Sequence, residues 1–272
     1  MKKTILITGA SRGFGKLWAK AFLQRGDKVA ATARKLSDLD DLVSEFGESI
    51  IPIQLDVNDR TAAFEAVKYA NSKLGSIDVL INNAGFGLFG AIEETSEAEA
   101  RQQIETNVFG LLWVTQAALP FMRNQGSGHI IQVSSVLGIT TLPTLGIYNA
   151  SKFAVEGLSE TLASEVAGFG IKVSLVEPNG FSTDWAGDSA SRSKPMEAYA
   201  DVHAAFQAGL TPEIFGDPEA TSAAILKLVD SENPPLRLFL GSMAYPWVKQ
   251  VYEQKLATWE EWKDVAADAQ GA

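Results

Sequence analysis

The chain of 272 residues has no cysteine and only two histidines, His129 and His203. Without cysteine there is no disulfide framework, no thiolate nucleophile and no sulfur ligand. The histidines lie far apart with no metal-type spacing, so no metal site is expected. No apolar run is long enough to span a bilayer. The opening Met1-Lys2-Lys3-Thr4-Ile5-Leu6-Ile7 imitates a secretory signal, but its apolar stretch stops at Gly9. A cytoplasmic protein without membrane association is the expectation. There is no Pro/Gly/Ser-rich linker, charge block, low-complexity tract or internal repeat, which favours one domain over residues 1–272. Positive charge is also scarce: 23 Lys and Arg stand against 33 Asp and Glu, a net charge of −10. That argues against nucleic acid as a partner and leaves any anionic ligand to a few local cations.

What is present is a regular alternation. Apolar, β-branched runs predict strands at Thr4–Thr8, Lys28–Ala33, Ile50–Leu55, Ile77–Ile81, His129–Ser134, Ile171–Val176 and Arg237–Leu240. Longer amphipathic patterns between them predict helices at Gly13–Gln24, Ser37–Phe46, Arg60–Leu74, Ser96–Met122, Tyr148–Ala167 and Glu219–Val229. Strand–helix alternation implies right-handed crossovers and a doubly wound α/β fold, its mostly parallel sheet flanked by helices. Ligands of such sheets bind beyond the carboxyl ends of the strands. Distinctive residues do follow the strands: Gly9–Gly15, Arg34, Asp56, Asn82–Gly85, Ser134–Ser135 and Pro178–Gly180. Residues 181–216 interrupt the alternation at that same edge and read as a lid insertion. The tail, about 242–265, carries Trp247, Tyr252, Trp259 and Trp262 and reads as a helical packing or subunit-contact element.

The first loop, Thr8-Gly9-Ala10-Ser11-Arg12-Gly13-Phe14-Gly15, follows a strand and opens a helix. Glycines there permit a tight turn and let a pyrophosphate approach the N–H groups of the helix start. The second strand ends in Ala33-Arg34-Lys35, where an NAD site would place an acid on the ribose hydroxyls. Arg12 and Arg34 could instead grip a 2′-phosphate, although Arg34 would also suit a solvated helix entrance. NADP(H) is therefore expected over NAD(H). Asp56 suits the adenine amino group or a helix cap, and Gly85 suits close backbone approach.

Three of the five tyrosines have a lysine four residues on: Tyr69, Tyr148 and Tyr245. Such pairs share a helix face and are often plain surface couples. Thirteen positions earlier stand Asp56, Ser135 and Glu232 respectively, so only Tyr148 with Lys152 has a serine there.

In these motifs, with Asn82-Asn83-Ala84-Gly85 and Asn107 between them, the chain resembles the short-chain dehydrogenase/reductase family in its single-domain, Rossmann-like form. The matching motifs span residues 4–183 and end in Pro178–Thr183, where Pro178-Asn179-Gly180 departs from the family's usual Pro-Gly. The resemblance implies a catalytic set of Asn107, Ser135, Tyr148 and Lys152. Tyr148 would be the general acid and base, and Lys152 would lower its pKa and bind the nicotinamide ribose. Ser135 would hold the substrate oxygen, and Asn107 would hold a water linking Lys152 to solvent. It implies a cofactor site of Gly9, Ser11, Arg12, Gly13, Phe14, Gly15, Arg34, Asp56, Val57, Asn83, Ala84, Gly85, Tyr148, Lys152, Pro178, Gly180 and Thr183. Substrate contacts would come from Ser135, Tyr148, Phe86, Val136, Leu142 and Trp185, with Leu88, Phe89, Leu137 and Phe181 nearby. These walls are apolar, which favours a neutral, hydrophobic ketone, aldehyde or secondary alcohol as the small-molecule partner. A homodimer or homotetramer is implied too. The rival readings are a non-catalytic NADP(H)-sensing protein and an NAD-dependent alcohol dehydrogenase.

Overall fold

Seven short runs of aliphatic residues become strands because both of their faces are covered, so neither face needs polar side chains. A computed structural model describes residues 2–187 and 189–271; Asp188, inside the expected lid, lies outside them. In chain order the elements are β1 (Thr4–Ile7), α1 (Gly13–Arg25), β2 (Lys28–Ala33), α2 (Asp40–Phe46), β3 (Ile50–Gln54), α3 (Arg60–Leu74) and β4 (Val79–Asn82). There follow β5 (Leu88–Phe89), α4 (Glu97–Ile104), α5 (Leu111–Gln125), β6 (Gly128–Val133), α6 (Gly146–Val166) and β7 (Ile171–Pro178). The chain continues through β8 (Ser191–Arg192), α7 (Ala200–Gly209), α8 (Thr221–Asp230), β9 (Arg237–Leu240), α9 (Ala244–Glu261) and α10 (Lys263–Asp268).

The main sheet has the order β3-β2-β1-β4-β6-β7-β9, and every neighbouring pair is parallel. Side chains alternate between two cores. Ile5 and Ile7 face Trp18 and Phe22 of α1 and Ile225 and Leu228 of α8. Leu6 faces Val67 and Ala70 of α3 and Val114 and Met122 of α5. This is the doubly wound, Rossmann-like sheet that the alternation implies. Strand order reverses between β1 and β4, so the loops after those two strands part and open a crevice.

The expected helix Ser96–Met122 is interrupted. Ser96 and Glu99 cap α4 reciprocally: Ser96 Oγ accepts from the Glu99 N–H, and Glu99 Oε2 accepts from the Ser96 N–H at 2.9 Å. Residues Glu105–Gly110 then widen into a π-helical turn before α5 begins. The cause is tertiary: Asn107 turns inward to the backbone of Phe86, and Val57 packs so close to Gly110 that a Cβ there would stand 2.6 Å from it.

Two further differences concern the insertion and the tail. Leu88–Phe89 pairs in parallel with Ser191–Arg192 to form a separate two-stranded sheet, which the sequence does not announce. The ends of segment 181–216 are fastened by Gly216 N–H to Gly180 O (2.9 Å) and Ser182 N–H to Gly216 O (3.1 Å). The tail forms α9 and α10, and α9 packs Ala244, Trp247 and Val248 against Phe206 and Leu210. Among the described residues no helix is long and apolar enough to cross a membrane.

Candidate active site

Beyond the carboxyl ends of the strands lies one cavity of about 930 Å³. It is lined by every site residue named from the sequence except Gly15 and Asn107; Leu88 is also buried outside it.

At one end stands the glycine loop. Gly9 has a positive φ of 67°, and a Cβ there would meet the Ala84 Cα at 2.9 Å. Gly15 sits behind the loop, where a Cβ would strike Gly9 O at 2.3 Å and Asn83 Nδ2 at 2.4 Å. Gly13, with φ 53°, has nothing within 4 Å of its Cβ position, so the cradle is open towards a pyrophosphate. Asn83 ties the two crevice loops together by donating Nδ2 to Thr8 O (3.0 Å) and Gly9 O (2.9 Å). Thr8 Oγ1 accepts in return from the N–H groups of Asn83 and Ala84. Phe14 stacks on Trp18 and meets Phe181 edge-on at 5.3 Å, which joins this loop to the start of segment 181–216.

A side cleft of about 660 Å³ is lined by Ser11, Arg12, Arg34, Lys35 and Asp38. Three cations there face one carboxylate. Of the two roles open to Asp56, the helix cap falls to Asp59, whose Oδ1 accepts from the Ala62 N–H. Asp56 braces its own turn through the Asn58 N–H (3.0 Å) and lines the cavity beside Val57.

At the other end α6 presents Tyr148 and Lys152 on one face. Tyr148 is 4 % exposed and Lys152 7 %. Burial pushes the Tyr148 phenol above its ordinary pKa, while a hydrogen bond with Ser135 pulls the other way. Burial pulls Lys152 down to about 8 against the opposing charge of Glu156. Lys152 Nζ donates to Val133 O at 2.8 Å and lies 5.7 Å from the centre of the Tyr148 ring. Ser135 Oγ also accepts from the Leu137 N–H at 3.1 Å, which fixes the hydroxyl at the strand end. For the phenol the direction is set by its own burial, and Lys152 is not among the groups that shift it.

Asn107 is buried just outside the cavity. Its Oδ1 accepts from the Phe86 N–H (3.1 Å), and its Nδ2 donates to Phe86 O (3.0 Å) and Ser151 Oγ (3.2 Å). The side chain thus ties the loop at Phe86 to α6 at Ser151. Gly85 makes this approach possible, since a Cβ there would stand 3.0 Å from Asn107 Oδ1.

Segment 181–216 closes over Tyr148. The Trp185 ring lies 4.9 Å from that of Tyr148 and 5.4 Å from that of Phe89, in space that Gly87 leaves free. Asn179 keeps an ordinary negative φ, Thr144 being the sole non-glycine with positive φ among the described residues, so Pro178-Asn179-Gly180 is unstrained. Its Nδ2 donates to Gly180 O (2.9 Å) and Ile214 O (3.2 Å) and so fastens both ends of the segment. Thr183 Oγ1 accepts from the Trp185 N–H.

Sequence reasoning missed Leu210, Met243 and Trp247, which line the cavity together with Phe206. The signal for Trp247 was the aromatic-rich tail, read as a packing or subunit-contact element.

The family model described as short chain dehydrogenase matches residues 3–194. The chain belongs to the short-chain dehydrogenase family. It is therefore an oxidoreductase of the kind that acts on CH–OH groups. This short-chain dehydrogenase is 41% identical over 270 residues to the oxidoreductase BOA17 of Botryotinia fuckeliana, covering 98% of each chain. To a 3-ketodihydrosphingosine reductase of Bacteroides thetaiotaomicron it is 40% identical over 260 residues, covering 94% of this chain and 92% of the relative. A short-chain dehydrogenase crystal structure from Streptomyces avermitilis superposes with a TM-score of 0.92 at 40% identity, covering 98% of both chains. ElxO with NADP bound (TM-score 0.73, 28% identity) covers 88% of this chain and 97% of its own. A Brucella melitensis 3-ketoacyl-(acyl-carrier-protein) reductase with NADH (TM-score 0.75, 26% identity) covers 88% and 96%.

Proposed function

We propose that this enzyme transfers a hydride between NADP(H) and a neutral, hydrophobic ketone, aldehyde or secondary alcohol. One observation carries the reading: a single cavity holds an open glycine cradle at one end and Ser135, Tyr148 and Lys152 at the other.

The residues present fit a dinucleotide. The open face of Gly13 and the N–H groups of the α1 start suit a pyrophosphate. Arg12, Arg34 and Lys35 suit a 2′-phosphate, each charge-assisted contact being worth roughly 1.5–3 kcal/mol. Related structures carry NADP or NADH, and the basic cleft favours the phosphorylated form here. The bound nicotinamide supplies or takes up the hydride.

The chain's part is the proton. A phenol is protonated at neutral pH, and burial reinforces that form in Tyr148, so it stands ready to donate to an oxygen that becomes an alkoxide during reduction. Ser135, hydrogen-bonded to that phenol, places the same oxygen. Lys152, fixed on Val133 O, brings positive charge close to the phenol as its proton leaves. Phe89, Leu142, Trp185, Phe206 and Trp247 exclude water and offer no cation to a carboxylate or phosphate, which favours an uncharged substrate. A relative named as a keto reductase agrees with that class. Segment 181–216 acts as the lid, and partly exposed Phe109, Phe153 and Leu158 suit a homodimer or homotetramer contact.

The test is NADPH consumption against a panel of hydrophobic ketones and aldehydes, with a charged keto acid as control. Turnover of neutral members and little of the acid is expected. Tight NADPH binding with no turnover of any member would favour a cofactor sensor instead.

A further inference from the structure

Tyr148 and Lys152 are followed on the same face of α6 by Glu156, one helical turn further on. Glu156 is 5 % exposed, and Glu177, on the adjacent β7, is fully buried. Their carboxyl groups share one guanidinium, and both Glu177 oxygens are hidden from solvent without a hydrogen-bond partner, which favours a proton on the pair. Arg237, on β9, donates Nε to Glu156 Oε2 at 3.0 Å and lies 3.3 Å from Glu177 Oε1; its other end reaches Glu160 at 2.9 Å. Tyr252 of α9 also faces this cluster.

Glu156 Oε1 and Ser134 Oγ are both hidden from solvent with no fixed partner. Gly138 leaves them room, since a Cβ there would stand 2.7 Å from Ser134 Oγ and 3.1 Å from Glu156 Oε1. The buried polar cluster thus runs from the strand end beside Ser135 to Glu177. Two cations, Lys152 and Arg237, face the three carboxyl groups of Glu156, Glu160 and Glu177 there, so a single proton among the carboxyls balances the charge. Glu177 is the deepest, and burial, then the charge of Glu156, push it up to about 9 against the pull of Arg237.

We propose that Glu156 is a positioning residue for catalysis: with Glu177 holding the pair's proton, the Glu156 carboxylate keeps buried Lys152 charged. This rests on the reading that Lys152 assists Tyr148. The Lys152 ammonium, already eased down to about 8 by burial, is lost as pH rises through that value. Removing the Glu156 charge lowers the midpoint further, so the alkaline limb of turnover moves to lower pH.

The direct test follows lysine Cε resonances of the full-length protein through a pH titration, with Lys152→Met assigning the signal. Glu156→Gln is expected to lower the Lys152 midpoint by about one unit, a tenfold change in its dissociation constant. Glu177→Gln, shaped like a neutral carboxyl, is expected to leave the midpoint in place. An unmoved midpoint in Glu156→Gln, or an equal shift in Glu177→Gln, overturns the proposal. Should Glu156→Gln fail to fold, carboxyl-labelled wild-type protein at neutral pH decides: Glu177 protonated upholds the proposal, and ionised overturns it. None of these readings requires a substrate, so an enzyme that turned over no carbonyl would leave them standing. In the NADPH assay the alkaline limb of kcat should drop in Glu156→Gln and return in Glu156→Asp.

Discussion

Arg34 occupies the end of β2 where an acid would favour NAD, and it shares its cleft with Arg12, Lys35 and the opposing Asp38. The position was legible in the sequence because the strand is short and its end is marked. Asp38 was not, since it enters the cleft only through the turn that precedes α2. In Arg34→Asp, the loss of one charge-assisted contact should raise the KM for NADPH at least about tenfold, with the KM for NADH unchanged or lower. Steady-state kinetics with both cofactors checks this, and an unchanged ratio contradicts the assignment. Tyr148 teaches a different lesson at the same scale. Its spacing to Ser135 and Lys152 identified the site, yet the direction of its titration depends on burial, which a spacing does not reveal. Likewise Asn107 was found by motif, while its attachment to Phe86 and Ser151 required coordinates.

Among the elements, the seven main strands could be read from alternation because each apolar run is covered on both faces. The π-turn at Glu105–Gly110 could not, since Phe86 and Val57, which impose it, are distant in sequence. The pairing of Leu88–Phe89 with Ser191–Arg192 is equally non-local and uses two residues per strand, too few for a pattern. That small sheet belongs to the tether of segment 181–216. Its anchor is Glu94, whose side chain is buried and accepts from Ala91 N–H (2.6 Å), Met196 N–H (2.8 Å) and His203 Nε2 (2.8 Å). The Met196 N–H, ahead of His203 and Ala91, holds this carboxyl below its ordinary range against the effect of burial. Glu94→Gln keeps the shape but sets an amide donor against one of these donors. Limited proteolysis within 181–216 is expected to quicken several-fold, with a higher KM for the carbonyl and unchanged NADPH affinity. Equal proteolysis rates in mutant and wild type would show that the tether lies elsewhere.

In the whole molecule, one topological fact gathers residues from most of the chain. Strand order reverses between β1 and β4, and the cavity that opens there takes lining from Gly9 to Trp247. The sequence carried the sheet, the crevice and both chemical ends of the cavity, since those follow from strand ends in order. It did not carry the roof, because Phe206, Leu210 and Trp247 meet Trp185 and Tyr148 only when segment 181–216 and α9 fold back together. The central claim is that the buried phenol of residue 148 delivers the proton while the other end of the cavity holds the cofactor. Its most direct measurement is kcat of Tyr148→Phe beside the affinity of the same variant for NADPH. The expected result is a fall of at least about a hundredfold in kcat with NADPH affinity retained. Near-normal turnover by that variant would contradict the claim.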